Sequence, residues 1–163
     1  MAKIEFSGVE QYSAALQKLS ADAKDKILGA AIYDAAGIVA DAIQNGISTI
    51  PTIPHFVWAK DGEQVNGLLD QQKAALHASL GIAKIKNEQG ILNVKIGWDG
   101  YNNIRTRRWT KGQPNQMIAR SIERGTSWLK GTKFVQKAVS ASKPKAVEAM
   151  QKRIDEESEK ILK

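Results

Sequence analysis

Cysteine is absent from the 163-residue chain, which removes disulfides, cysteine zinc sites, iron–sulfur clusters and thiol nucleophiles together. The redox compartment stays open, because a chain without thiols suits either environment. Histidine is almost as scarce: with only His55 and His77, a histidine-built metal centre would need several subunits. The opening MAKIEFSG lacks the apolar stretch of roughly 7–15 residues that a secretory signal carries. No uninterrupted apolar run of about 18 residues marks a membrane span. The expectation is a soluble protein with no membrane partner. Neither GxxxxGK[ST] nor a GxGxxG behind a strand occurs, so no phosphate-cradling loop is signalled.

What is present is an ordinary globular composition, 42% hydrophobic and 25% charged. A chain of this length buries roughly two-thirds of its unfolded surface, enough for a single domain over residues 1–163. The charge is unevenly placed. The net value is +7, yet residues 101–145 hold eleven lysines and arginines against one acid, Glu123. That segment is +10, leaving −3 on the remainder. Such polarity points to an acidic partner surface or to nucleic acid.

Patterning predicts an α+β fold, a small antiparallel β-sheet packed on a long N-terminal helix and C-terminal helices. Residues 3–6 alternate and read as a strand. From Val9 to about Gln44 the period is helical, with a break near Ser20. Ile27, Ala31, Ala35, Ile38 and Ala42 form one row, Leu28, Ile32, Val39 and Ile43 a second, and Asn45-Gly46 ends the helix. Residues 47–67 read as a long loop broken by Pro51 and Pro54. Its Ile50, Ile53, Phe56, Val57 and Trp58 either fold back on the core or meet a partner.

A short helix is expected over 68–79, followed by a hairpin of 80–86 and 92–98 about a loop at 87–90. Leu92, Val94, Ile96 and Trp98 would share one face. Residues 99–113 form a second long loop, polar and basic. Pro114 would open a helix near 115–124, which Gly125 stops. Thr132 would cap a helix through Phe134, Ala138 and Val139, and Ser142 a separate last helix at about 143–162, with Pro144 in its first turn.

Reactive constellations are weak. Ser127 with Lys130 and Ser140 with Lys143 match Ser-x-x-Lys, but without the motifs that accompany it in acyl-transfer enzymes. Neither histidine has a serine or carboxylate at a telling offset, and Glu156 and Glu157, adjacent on a helix, point apart. No catalytic, cofactor-binding or metal-ligating residue is predicted, and no enzyme. The richer stretch is 101–111, where Arg105, Arg107, Arg108 and Lys111 surround Trp109. Such cations and a stackable ring suit phosphates and bases, or acids on a neighbouring subunit. Glu123 is expected to pair with one of the cations around it.

ARSIERGT at 119–126 followed by GTKFVQKA at 131–138 resembles the E-x-G-T … P-F-[LIVM]-x-x-A signature of the phage HK97 gp10-like family of tail-completion, head–tail joining and minor tail proteins. The matching positions are Glu123, Gly125, Thr126, Phe134 and Ala138. AALHASL at 74–80 is similar to the G-x-L-x-x-S-[IL] step that precedes the family's strands. The likeness spans about residues 2–140, with Lys133 at the usual proline and Ala74-Ala75 in place of Thr-Gly. It implies a virion protein of the neck or tail, made in the host bacterial cytoplasm. Such a protein acts without cofactor or catalysis, as a ring (hexamer or dodecamer) docked between head-connector or head-completion proteins and tail-tube or tail-terminator proteins. Contacts are expected from Pro51, Pro54, Phe56 and Trp58, and from Arg105, Arg107, Arg108, Trp109 and Lys111. The alternative is a small basic protein that binds DNA without sequence preference.

Overall fold

The computed structural model describes residues 21–56 and 62–162. The strand expected at 3–6, the helix start and break between Val9 and Ser20, and the side chains of Val57 and Trp58 lie outside the described residues.

Alanine-rich sequence with apolar residues every fourth position makes α1, Ala21–Ser48. Its buried row runs Ile27, Ala31, Ala35, Val39, Ile43 and Ile47, stepping by four throughout, whereas the sequence row moved to Ile38 and Ala42, which are only half-buried. The C-terminal helix α4, Phe134–Leu162, lies antiparallel along it: Gly46 sits against Phe134 and Asp34 beside Arg153. Its buried positions are Phe134, Ala138, Ser142, Ala146, Met150 and Ile154, again every fourth residue. Alanine and serine at the centre of both rows let the two backbones approach closely.

Two expected helices are therefore one. Ser142 is buried and its hydroxyl donates to Ala138 O at 2.8 Å, so it lies inside the helix and does not cap one. Pro144 is also interior; it removes one backbone bond. It sits on the exposed side while Ala146 is wholly buried. The packed row through Ala138, Ser142 and Ala146 carries the helix past the proline.

Helix α1 also runs two residues beyond Asn45-Gly46. Its last carbonyl finds a donor from elsewhere: Lys73 Nζ donates to Ser48 O (2.8 Å) and, just past the helix, to Ile50 O (2.7 Å), placing a cation at the negative helix end. The segment after it is better tied down than a loop. Strand β1, Thr52–Ile53, pairs in parallel with β2, Leu68–Leu69. Val65 bridges Leu129. Ile50 folds back into the core at 2% exposure. Because Leu68 and Leu69 are taken by that pairing, α2 starts at Asp70 and runs to Ser79, its first turn closed by Leu69 N–H donating to Gln72 Oε1.

The hairpin exists but is stepped. Strands β3, Leu80–Ile82, and β6, Ile96–Trp98, pair antiparallel, as do β4, Lys86–Glu88, and β5, Ile91–Asn93. The loop is only Gln89-Gly90, both at positive φ, the twist-compatible two-residue turn. Leu80 faces Trp98 but Lys86 faces Asn93, so residues 83–85 oppose 94–95, a bulge. Tyr33 Oη on α1 grips it, accepting from Ile85 N–H (3.2 Å) and donating to Ala83 O (3.4 Å). Trp98 then reaches the core, its ring edge-on to Phe134 at 5.9 Å and its Nε1–H on Leu76 O. Helix α3, Asn115–Arg124, begins directly after Pro114 as expected.

The arrangement is α+β, with the short strands on the two long helices. Because Ala31, Ala35, Ala138 and Ala146 are buried in the α1–α4 rows, enlarging one of them overpacks the seam. Ala146→Leu should lower unfolding free energy by about 1–3 kcal/mol, read as a fall in urea midpoint with an unchanged slope.

Candidate functional site

Residues 99–113 form a closed, internally bonded loop. Buried amides hold its base. Asn102 Oδ1 accepts from Ile104 N–H (2.9 Å) and Gln113 N–H (3.1 Å), and Asn102 N–H donates to Gln113 O. Gln113 Oε1 accepts from Gln72 Nε2 (2.9 Å) on α2 and from Asn102 Nδ2 (3.2 Å). Asn115 Nδ2 donates to Asp99 O. Gly112, at φ +106°, completes the base: a Cβ there would stand 1.8 Å from Asn102 O, which leaves glycine as the one residue that fits. Bonds shared among buried polar groups in this way favour one geometry, with Asn115 Oδ1 the one buried amide atom left without a protein partner among the described residues.

The tip is equally defined. Thr106 and Trp109 exchange backbone N–H···O bonds, both 3.0 Å, so Arg107 and Arg108 are the two residues of a tight turn. The Arg108 guanidinium lies 5.5 Å from the Trp109 ring centre, a cation–π contact. Arg105, Arg107, Arg108 and Lys111 are exposed, as is Tyr101 at 59%. The sequence shows these cations plainly. It hides the four buried amides, which look like any solvated asparagine or glutamine in a polar stretch.

The sequence-singled positions around α3 and α4 make a corner. Gly125 takes φ +80° and its N–H donates to Ser121 O, ending α3. Thr126 Oγ1 accepts from Leu129 N–H at 3.0 Å. Phe134 and Ala138 are buried on α4. Glu123, expected to meet a cation, does something else. Its carboxylate accepts from Val135 N–H (2.8 Å) and Gln136 N–H (3.1 Å), capping the free donors of the α4 N-terminus, where negative charge is favoured. Thr132, expected as that cap, instead donates through Oγ1 to Ile122 O. Thr126 N–H donates to Leu129 O, Thr132 N–H to Ile122 O, and Gly131 packs against the backbone of Arg124 and Gly125, closing the turn.

The consequence for charge is direct. Among the described residues, none of the eleven cations of 101–145 has an acid within 4.0 Å, and Glu123, the one carboxylate within that segment, is engaged with backbone. The ion pairs that do occur join α1 and the far half of α4: Arg153 with Asp34 (3.7 Å) and Glu157 (3.5 Å), Lys160 with Glu157 (2.9 Å) and Lys152 with Glu156 (3.9 Å). The Lys160 hydrogen bond holds the Glu157 carboxyl below its ordinary range.

The remaining candidates separate. Ser48 Oγ lies 3.5 Å from His77 Nε2, and His77 Nδ1 is bonded to Gln44 Oε1 at 2.5 Å, a grouping that sequence offsets did not reveal. It stands at the C-terminal end of α1, whose dipole opposes a developing anion. The neighbouring Thr49 and Ile50 N–H groups already donate to Gly46 O and Ile47 O. The bonds clamp α2 onto α1. Ser127 and Lys130 lie outside any helix, so the one-turn spacing of Ser-x-x-Lys does not arise there. Phe56 is 48% exposed and stacks at 6.3 Å on Trp128, 45% exposed, while Pro51 and Pro54 are exposed beside it. No group of three or more metal-ligating side chains occurs among the described residues.

Helix α1 is, against the expectation, long and apolar enough by length and composition to cross a membrane. Its apolarity has a local use, since the row from Ile27 to Ile47 is buried within the fold. Comparison with protein-family models, curated proteins and solved structures finds no match to this chain.

Removing the α4 cap gives a direct check on the corner. Glu123→Ala should cost about 1–2 kcal/mol of stability, with Glu123→Gln recovering part of it, measured by thermal and urea unfolding.

Proposed function

We propose that this chain is a non-catalytic building block of a phage neck or tail, completing the tail or joining it to the head. It works by ring assembly and by docking between head-connector or head-completion proteins and tail-tube or tail-terminator proteins. The observation that carries the reading is uneven charge: cations with no acid within 4.0 Å among the described residues lie on the 99–113 loop and the α3–α4 corner, and acids outnumber cations along the far half of α4. Unlike faces on one molecule suit head-to-tail contact between copies. The exposed Phe56–Trp128 pair offers an apolar contact of the kind that a small domain leaves uncovered for a partner.

The HK97 gp10-like resemblance supports the same reading, and the motif positions fall at one corner between α3 and α4. One departure has a physical side. Lys133, at the family's proline, has φ +53° and donates its N–H to Glu123 O; proline can do neither. This chain therefore closes that corner in its own way.

A second reading, a basic protein binding DNA without sequence preference, is favoured by Arg107 and Arg108 at the loop tip with Trp109 and Tyr101 beside them. Salt titration distinguishes the two. On the building-block reading, retention of duplex DNA at about 50 mM salt is weak, and mass rises with protein concentration or on adding connector or tail protein. Tight duplex retention that falls about 10³-fold or more by 200 mM salt, from a protein that stays monomeric, would replace it with the DNA-binding reading.

A further inference from the structure

The acids of α4 are not equivalent. Glu157 is held by Lys160 and Arg153. Glu148, Asp155, Glu156 and Glu159 instead line one exposed strip with Gln151 and Lys152. Among the described residues Glu148, Asp155 and Glu159 have no cation within 4.0 Å, and Glu156 has only the exposed Lys152 at 3.9 Å. The strip thus carries uncompensated negative charge on a helix pinned straight against α1.

The loop tip and this strip cannot meet within one chain. The loop base rests on the first turn of α2 through Gln72–Gln113 and on the start of α3. The last turn of α2 sits by Gln44, close to where Gly46 meets Phe134. From there α4 runs away: Glu159 is 25 residues beyond Phe134, roughly 37 Å at 1.5 Å per residue. Among the described residues, the loop cations and Glu148, Asp155 and Glu159 have no opposite charge within 4.0 Å in their own chain.

We infer that Arg107 and Arg108 at the loop tip of one copy seat on the Asp155–Glu159 part of the α4 strip of the next copy. The inference rests on the self-assembly reading above and names its contact. Charge complementarity selects the occupant: four exposed cations of the loop (Arg105, Arg107, Arg108, Lys111) face four exposed acids of the strip. Asp155 and Glu159, one helical turn apart, are spaced for two neighbouring guanidinium forks. The loop's buried amides fix the tip before contact, so little ordering cost opposes binding. Because the contact joins unlike faces, it propagates and closes only when the rotation allows a ring.

Reversing charge on each side tests it. All four positions are exposed, and thermal unfolding serves as the check on folding. Sedimentation at low salt across a concentration series should show Arg107→Glu/Arg108→Glu and, separately, Asp155→Lys/Glu159→Lys each weakening self-association at least tenfold. The chain carrying all four substitutions should regain it. If either double variant associates as the unaltered chain does, or if the fourfold variant stays as weak as its parents, the inferred contact is wrong while self-assembly stands. If the unaltered chain stays monomeric across the series, both fall. Duplex DNA at the same salt is a further arm: retention lost on Arg107→Glu/Arg108→Glu, with no self-association to lose, assigns the tip to nucleic acid instead.

Discussion

The antiparallel packing of α1 on α4 is the constraint on which the other features depend. Each helix buries every fourth residue, and small residues (Ala31 and Ala35 on α1, Ala138, Ser142 and Ala146 on α4) stand within both rows. Small side chains at those places let the backbones come close, and the seam then extends over most of both helices. That continuity explains why α4 survives an interior proline and why α1 outlasts its Asn-Gly signal. It also fixes how far apart the two ends of the molecule lie.

At one end of this frame, polar interior groups replace apolar packing. Gln72, Asn102, Gln113 and Asn115 are all buried, and their bonds convert a fifteen-residue polar stretch into one shape. Glu123 does similar work at the corner, satisfying two donors of the α4 N-terminus. Both devices have an electrostatic result. The only acid in a strongly basic segment is withdrawn into capping, and the cations of 101–145 are left facing outward with no acid within 4.0 Å among the described residues.

Among the described residues, the Ser48–His77–Gln44 grouping stands at the C-terminal end of α1, with the Thr49 and Ile50 N–H groups already bonded. The molecule's distinctive property is the separation of opposite charges on a stiff support, and this underlies its proposed role as an assembling component.

Composition and periodicity by themselves determined the α+β class, the long alanine-rich helix, the hairpin region, the helix from Asn115 to Arg124 and the basic character of 101–111. These rest on local rules, since spacing of apolar residues and the φ preferences of proline and glycine act over a few positions. Other features were settled only in three dimensions. Ser142 and Thr132 carry the right chemistry for caps, yet burial of the Ala138–Ala146 row and the capping carboxylate of Glu123 assign them other work. The parallel β1–β2 pairing, the bulge gripped by Tyr33 and the cation on the end of α1 each join residues far apart in the chain. So does the amide base of the loop. A hydrogen bond between Gln72 and Gln113 leaves no trace in the sequence near either, because its strength comes from a dry interior that exists only once the helices have packed.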